Sequence, residues 1–328
     1  MVSISSSDAT PADREGPTEV TLASLVVAAV LLATVFASAN HALGLGIGRD
    51  VAISALRCAV QLSALGFVLV PIFRTDSPPL SLAWALLMAA VAALEASARP
   101  ALRYPHMRRH VFAAVLVAAF PTLFWGLFAV LRVGLASRYT IPLMGMFLGN
   151  TSGSVAVALT SINTALADGA AAVEARLAMG ATRWEATRPA LRAAVTLGLT
   201  PVINQMSVMG VVTIPGMLTG QILGGTAPAL AAQYQILVMY LIASSATIAV
   251  SGAAVFAVHA CTDGEHRLVA GALKRKPAGA ADPWRAFTQR MAAAAAGVRA
   301  WAVRRRQGQQ DQGAGTHEPL LDRDADAA

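Results

Sequence analysis

Charged residues are scarce in this chain of 328 amino acids. Only 13% of its residues are Asp, Glu, Lys or Arg, whereas 56% are hydrophobic. Soluble domains carry about a quarter charged residues, so a soluble fold of this length would have too little polar surface to cover its apolar side chains. The composition excludes an ordinary soluble domain and indicates a protein that spans a lipid bilayer.

Cysteine and lysine are also rare, and each shortage excludes a class of protein. Cys58 lies inside an apolar block and Cys261 at the end of another, which is not the pattern of a disulfide framework. The two lysines are Lys274 and Lys276, and neither belongs to a Gly-Lys-Ser/Thr phosphate loop. We therefore expect no P-loop ATPase of the usual kind. As a separate expectation, the chain has no other enzyme activity and binds no cofactor.

Seven apolar blocks are each long enough for a transmembrane helix, which takes about 20 residues. They lie at residues 20–45, 51–73, 80–98, 110–133, 141–166, 189–214 and 230–260. The predicted fold is an all-α integral membrane protein of about seven transmembrane helices, in the plasma membrane or an internal membrane such as the vacuole. The link after the sixth block carries no charge, so we expect it to be buried or re-entrant, with Gly216, Gly220, Gly224 and Gly225 packed closely or at positive φ.

Basic residues set the expected orientation. The formal net charge is +7, and arginines cluster after the third, fifth and seventh blocks. This distribution fits a cytosolic location for these three segments, with the N-terminus outside and the C-terminus cytosolic, better than it fits nucleic-acid binding.

The predicted division is a disordered head at 1–19, a seven-helix domain at 20–261 with a cytosolic segment at 169–192, and a basic, low-complexity tail at 262–328. Residues 284–306 of the tail fit a surface helix on anionic lipid, and a solvated tail fits as well.

The cytosolic segment at 169–192 has the pattern of a helix, a break and a second helix. Gly180 suits the left-handed residue that ends a helix, and Thr182 with Glu185 forms a capping box that starts the next one. The second helix runs through Pro189 into the sixth block. Such an element would transmit a push to the membrane helices, although a simple connecting loop would have a similar pattern.

Two stretches resemble a known family. Residues 174–182, EARLAMGAT, resemble the E-A-A-x-x-x-G coupling loop of ABC transporter permeases, with Arg176 in place of the second alanine. Residues 215–225, PGMLTGQILGG, closely resemble the FetB-type permease family, which includes bacterial iron-export permeases and plant aluminium-resistance ABC permeases. Further agreement covers about residues 45–258 and includes Arg57, Gln61-Leu62, 142–146, 148–150, Asn204, 234–236 and Met239.

The resemblance implies a permease that works as a homodimer in membrane lipid with separate cytosolic ABC ATPase subunits, which use ATP and Mg. The residues it implies for ATPase coupling are Glu174, Ala175, Gly180, Thr182 and Glu185. The implied substrate is a metal ion, iron first, moved by export; a nucleotide sugar is the alternative. A seven-helix receptor or scaffold without transport is the competing class, but it has no need of a capped break at Gly180.

Polar residues within or near the apolar blocks are candidates for the translocation pathway, because such groups are costly in lipid. These candidates are Arg57, Gln61, Glu95, Asn150, Asn204, Gln205 and Gln221. A structural role, such as an ion pair between Arg57 and Glu95, is the alternative. Weak candidates for metal contact are Met144, Met146, Met206, Met209 and Met217. Methionine is more often a gap filler, and thioethers favour soft ions such as Cu(I) over iron.

Overall fold

The computed structural model describes residues 22–275 except Leu45, Ile47, Gly264, His266 and Ala270. The predicted head and the tail beyond Arg275, including the expected surface helix, lie outside the described residues. The helices are α1 (Leu22–Leu43), α2 (Gly48–Thr75), α3 (Pro78–Ala98), α4 (Met107–Phe124, continued by a π-helix at Trp125–Leu131), α5 (Ser137–Asp168), α6 (Ala170–Ala178), α7 (Arg183–Val208), α8 (Gly216–Leu223) and α9 (Pro228–Cys261).

Six of these helices are long and apolar enough to cross a membrane. The candidate spans are Ala23–Leu43, Val51–Thr75, Pro78–Ala98, Met107–Leu131, Ser137–Asp168 and Pro228–Cys261. They match six of the seven predicted blocks, and the all-helical membrane fold is confirmed. The remaining block falls on α7, which is long enough to span but begins with the charged residues Arg183, Glu185, Arg188 and Arg192. The seven predicted helices therefore correspond to six apolar spans and to α7, which is more polar than those six.

The described chain divides into two compact units, and α3, α4, α5, α7 and α9 contribute residues to both. Unit 1 holds the chain up to Leu86 with Leu123–Gly145 and Asn204–Ile242, and unit 2 holds Leu87–Thr122, Met146–Ile203 and the chain from Ala243.

Unit 1 contains a polar cluster where the link between α2 and α3 meets the start of α5. The Ser137 amide donates to the Asp76 carboxylate at 2.7 Å, and the Ser137 and Ser81 hydroxyls lie 2.6 Å apart. The hydrogen bond from the Ser137 backbone lowers the pKa of Asp76 below its usual range. Each of these groups thus finds a partner, which lowers the cost of burying Ser81 and Ser137.

Unit 2 is closely packed around α5 and α9. Phe147, Leu159, Ile162 and Val250 are fully buried there. On α7, the buried residues of this unit are small, Ala186, Thr187, Ala194, Gly198 and Val202 among them. Small residues let helix backbones approach closely, which is how a relatively polar helix can be held against its neighbours in a membrane.

A short antiparallel sheet in unit 2 departs from the all-helical prediction. β1 (Leu102–Arg103), in the loop between α3 and α4, pairs with β2 (Lys274–Arg275), and Arg103 lies opposite Lys274. The Asn163 side chain on α5 also holds this loop, because it donates to the Leu102 carbonyl at 2.9 Å. The first residues of the predicted tail are therefore tied back to the membrane domain.

The prediction that the uncharged link after α7 is buried or re-entrant is wrong as to burial, and a re-entrant path stays a prediction. Its central part is α8, none of whose residues is buried, and Leu223 is 79% exposed. A helix satisfies most of its own backbone hydrogen bonds, so it does not need burial to hide them.

The expectation for the four glycines of this link is also largely wrong. A Cβ atom at Gly216 or Gly220 would meet nothing within 4 Å, and Gly224 faces only carbonyls of its own helix. Gly225 alone among the four has a positive φ, of 89°. Close packing within a single chain therefore does not explain the glycines Gly216 and Gly220.

Candidate functional site

The break between α6 and α7 is built by a left-handed glycine. Gly180 has a φ of +91°. Its amide donates to the Leu177 carbonyl at 2.9 Å, and the Ala181 amide donates to the Arg176 carbonyl at 3.1 Å. This pair of bonds is the Schellman motif, which satisfies the free carbonyls at the end of a helix. The left-handed backbone predicted for Gly180 is confirmed, and its role in ATPase coupling stays a prediction.

The capping box at the start of α7 is present as predicted. The Glu185 carboxylate accepts from both the amide and the hydroxyl of Thr182, at 2.8 Å each. The Glu185 amide donates in return to the Thr182 hydroxyl at 3.4 Å. The hydrogen bond from the Thr182 amide lowers the pKa of Glu185, so the carboxylate that holds the cap stays ionised below its usual titration range.

Arg176, the residue that departs from the coupling-loop pattern, joins the two helices. Its guanidinium donates to the Ala186 carbonyl on α7 at 3.0 Å. Val173 of α6 and Ala186 are both buried. A charge-assisted hydrogen bond thus ties α6 to α7 across the break.

The opposite face of this element is exposed. Glu174 and Ala175 lie on the surface of α6, and Met179 before the break is 79% exposed. Trp184, just after the break, is 38% exposed. One acidic side chain and two large apolar side chains are thus exposed on the two sides of the break. We refer to Glu174, Met179 and Trp184 as the corner surface.

The predicted pathway residues are spread over five helices. Arg57 and Gln61 lie on α2, Asn204 and Gln205 on α7, Gln221 on α8, Glu95 on α3 and Asn150 on α5. Glu95 pairs with Arg99 one turn away at 3.2 Å, and the Asn150 amide group donates to the Met146 carbonyl at 2.9 Å. The contact of Asn150 lies within its own helix. A role in the translocation pathway stays a prediction for Asn150 and for the other six candidate residues.

The methionine candidates also stay predictions. Met144 is fully buried, as a gap filler would be, whereas Met146, Met206, Met209 and Met217 are partly exposed. Within the described residues, no three His, Cys, Asp or Glu side chains come together as a metal site would require. Any metal contact in this part of the chain would depend on other ligands or on transient coordination during passage.

A cavity of about 560 Å³ in unit 2 was not anticipated from the sequence. It is lined by Arg99 directly after α3, by Thr160, Ser161 and Thr164 of α5, and by Leu197 of α7, together with apolar residues of α5. The signal in the sequence is the spacing of the hydroxyls, because Thr160 and Thr164 are four residues apart and share a helical face. Arg99 is paired with Glu95 and the Thr160 hydroxyl donates to the Ala156 carbonyl at 2.8 Å, so Ser161 and Thr164 supply the other hydroxyls of this lining.

Comparison with known proteins shows which family the chain belongs to. A model of the uncharacterised protein family UPF0014 matches residues 22–262. The chain belongs to this family. The match to UPF0014 includes every helix from α1 to α9, so the part shared with the family is the membrane domain. The chain is an integral, multi-pass membrane protein.

Relatives within UPF0014 come from bacteria and plants. The membrane protein YjkA of Bacillus subtilis is 32% identical over 226 residues, which is 69% of this chain and 88% of the relative. Protein ALUMINUM SENSITIVE 3 of Arabidopsis thaliana is 32% identical over 227 residues, 69% of this chain and 80% of its own length. The probable iron export permease protein FetB of Escherichia coli is 27% identical over 259 residues, 77% of this chain and 94% of its own length. No solved structure matches the chain.

Proposed function

We propose that the chain is the transmembrane subunit of an ABC-type transporter. Two copies form the permease, two cytosolic ATPase subunits supply the energy of ATP hydrolysis with Mg, and a metal ion crosses by alternating access. Iron is the leading substrate and export is the direction. Support comes from the names of the relatives, one of which is a probable iron export permease.

The observation that carries the proposal is the corner surface. Exposed large apolar side chains beside a charge are typical of a protein docking site. Met179 directly follows α6 and Trp184 lies in the first turn of α7, so the corner surface spans the break that Arg176 bridges through the Ala186 carbonyl. Because α7 continues without interruption to Val208, a force applied at Glu174 would reach the far end of that helix. A receptor or scaffold would not require this arrangement.

A nucleotide sugar is the second candidate substrate, favoured by the cavity of unit 2. The hydroxyls of Ser161 and Thr164 suit sugar groups, and Arg99, once released from Glu95, would donate to a phosphate. Iron bound to an anionic carrier would suit the same lining.

Transport in proteoliposomes distinguishes these substrates. The chain is purified with the ATPase that copurifies with it and reconstituted so that ATP reaches the ATPase from outside. We expect ATP-dependent accumulation of radioactive iron, lost when ATP is replaced by a non-hydrolysable analogue. Accumulation of a labelled nucleotide sugar instead of iron would select the second candidate, and absence of any ATPase partner would favour a receptor or scaffold.

The orientation can be tested by cysteine labelling. In a Cys58→Ala background, which removes the exposed native thiol, cysteines placed at Arg108 and Ala181 should react with an impermeant maleimide only from the cytosolic side. A cysteine at Arg132, in the link between α4 and α5, is the control and should react only from outside. Reaction of position 181 from outside would overturn both the orientation and the docking of an ATPase at the corner surface.

A further inference from the structure

The loop between α3 and α4 forms a second cavity in unit 2. Its volume is about 380 Å³, and it is lined by Ser97, Arg103, Tyr104, His106, Met107, Arg108 and Arg109. The lining thus contains three arginines and a histidine, and neither Asp nor Glu is among these residues. We call it the arginine pocket. Because α3 and α4 are apolar spans that end here, the arginine pocket lies at the level where a bilayer gives way to its headgroups.

Polar atoms in and beside the arginine pocket lack partners. Within the described residues, the buried Nε of Arg103 and the hydroxyl of Tyr104 have no hydrogen-bond partner, although Tyr104 is only 4% exposed. His110, stacked on Tyr104 with ring centroids 5.7 Å apart, has an unpartnered buried Nδ1. Buried donors without a partner are costly, and native proteins rarely leave several together unless a ligand or water completes them.

Positive charge in the arginine pocket is also uncompensated. Desolvation and the nearby Arg108 lower the pKa of Arg103 from its ordinary value. The strand pair adds Lys274 directly opposite Arg103, and like charges at such positions repel each other. The Arg103 Nη2 donates to the neutral Ala98 carbonyl at 2.8 Å, whereas Arg99 pairs with the Glu95 carboxylate. The positive-inside tendency explains why arginines lie on this side, but not why they converge on a cavity with unpartnered donors.

We propose that the arginine pocket binds a phosphate-bearing group, supplied by the headgroup of an anionic lipid or by soluble phosphate. Arg108 and Arg109, both exposed at the start of α4, provide guanidinium donors, and the Tyr104 hydroxyl provides a neutral one. Burial raises the pKa of Tyr104, so this phenol keeps its proton and can donate it to a phosphate oxygen. The arrangement suits phosphate because arginine forks bind its oxygens in pairs.

Native mass spectrometry of the delipidated full chain tests this assignment. We expect adducts of dioleoyl phosphatidylglycerol to form with at least about tenfold preference over dioleoyl phosphatidylcholine, because both lipids carry the phosphodiester but the choline ammonium of the second is repelled by the arginines. The double variant Arg108→Gln/Arg109→Gln should lose this preference. The matched control Arg132→Gln/Arg138→Gln removes the same charge elsewhere and should keep it. Tyr104→Phe, which retains the stacked ring, should weaken binding by about three- to tenfold through loss of one hydrogen bond.

A parallel arm with inorganic phosphate separates the two sources. Stabilisation of the wild type by millimolar phosphate, absent in the Arg108→Gln/Arg109→Gln variant, would assign the site to soluble phosphate. A preference for phosphatidylglycerol with no response to phosphate would assign it to lipid. Equal loss in both double variants, or no preference for either phosphate source, would overturn the proposal. Circular dichroism of each variant guards against misfolding, and a folded Tyr104→Phe protein that binds as the wild type does would count against it.

Discussion

The Gly180→Val variant should lose substrate flux while the membrane domain stays folded. Gly180 has a φ of +91°, a backbone conformation that costs a β-branched residue about 1–2 kcal/mol or more. A Cβ atom there would meet nothing within 4 Å, so the penalty arises from the backbone and not from a clash with the membrane helices. Relief of that strain would open the Schellman turn and change the direction of α6. The corner surface would then no longer present Glu174 to an ATPase.

The matched control is Gly180→Asn. Asparagine tolerates the left-handed region, so this variant should keep most of the flux. The measurements are ATP-dependent flux in proteoliposomes, binding of the ATPase and thermal stability of the detergent-solubilised protein. Normal flux in Gly180→Val would contradict the coupling role of the break. Loss of folded protein in parallel with flux would show that the turn serves the fold instead.

A charge change on the corner surface complements the backbone test. Glu174 is exposed, so Glu174→Ala should alter stability by less than about 0.5 kcal/mol. If the carboxylate is desolvated against an ATPase, its loss should weaken association by about 2–5 kcal/mol. Asp168→Ala removes an equally exposed acid at the end of α5 and should leave association intact. A reduction of the same size in both variants would indicate general electrostatics and not a specific contact.

The local features of the coupling segment were predictable because short-range chemistry determines them. Gly180, Thr182 and Glu185 make contacts within three or four residues of themselves, so their sequence spacing carries the information. Apolar runs likewise predict membrane helices, because each helix satisfies its own backbone. Helix α7 is the marginal case, since its charged first turns make it less apolar than a typical span.

Features that depend on distant residues escaped prediction. The pairing of Leu102–Arg103 with Lys274–Arg275 joins segments more than 170 residues apart, and two residues are too few to give a strand pattern. The arginine pocket follows from that pairing and from Asn163, which holds the same loop. The positive-inside tendency alone explains arginines near a membrane surface, so their positions in the sequence did not indicate a cavity. The assignment of α8 as buried failed because a lack of charge does not distinguish packing within a chain from contact with lipid or a second copy.

Gly198 was likewise not singled out from the sequence, yet two neighbouring helices of unit 2 approach it closely. A Cβ atom at Gly198 would lie 2.7 Å from the Cβ of Ala158, 3.0 Å from the Ser154 carbonyl oxygen and 3.1 Å from Val250. Ala158 and Ser154 belong to α5 and Val250 to α9, so Gly198 is where α7 meets both helices. Neither a methyl on a helix backbone nor a backbone carbonyl can rotate out of the way.

The Gly198→Ala variant should therefore destabilise unit 2. Overpacking of this kind costs about 1–3 kcal/mol, which exceeds the gain of up to about 1 kcal/mol from replacing glycine by alanine in a helix. Gly153→Ala is the matched control, since that helical glycine of α5 has nothing within 4 Å and should show only the helix gain. Thermal unfolding in one detergent, followed by tryptophan fluorescence and by the fraction of monodisperse protein, should show Gly198→Ala melting several degrees lower and Gly153→Ala unchanged or higher. Equal midpoints would mean that α7 can move away from α5 and α9 at little cost. In that case α7 could not act as the rigid rod that carries a push from the corner surface into the membrane.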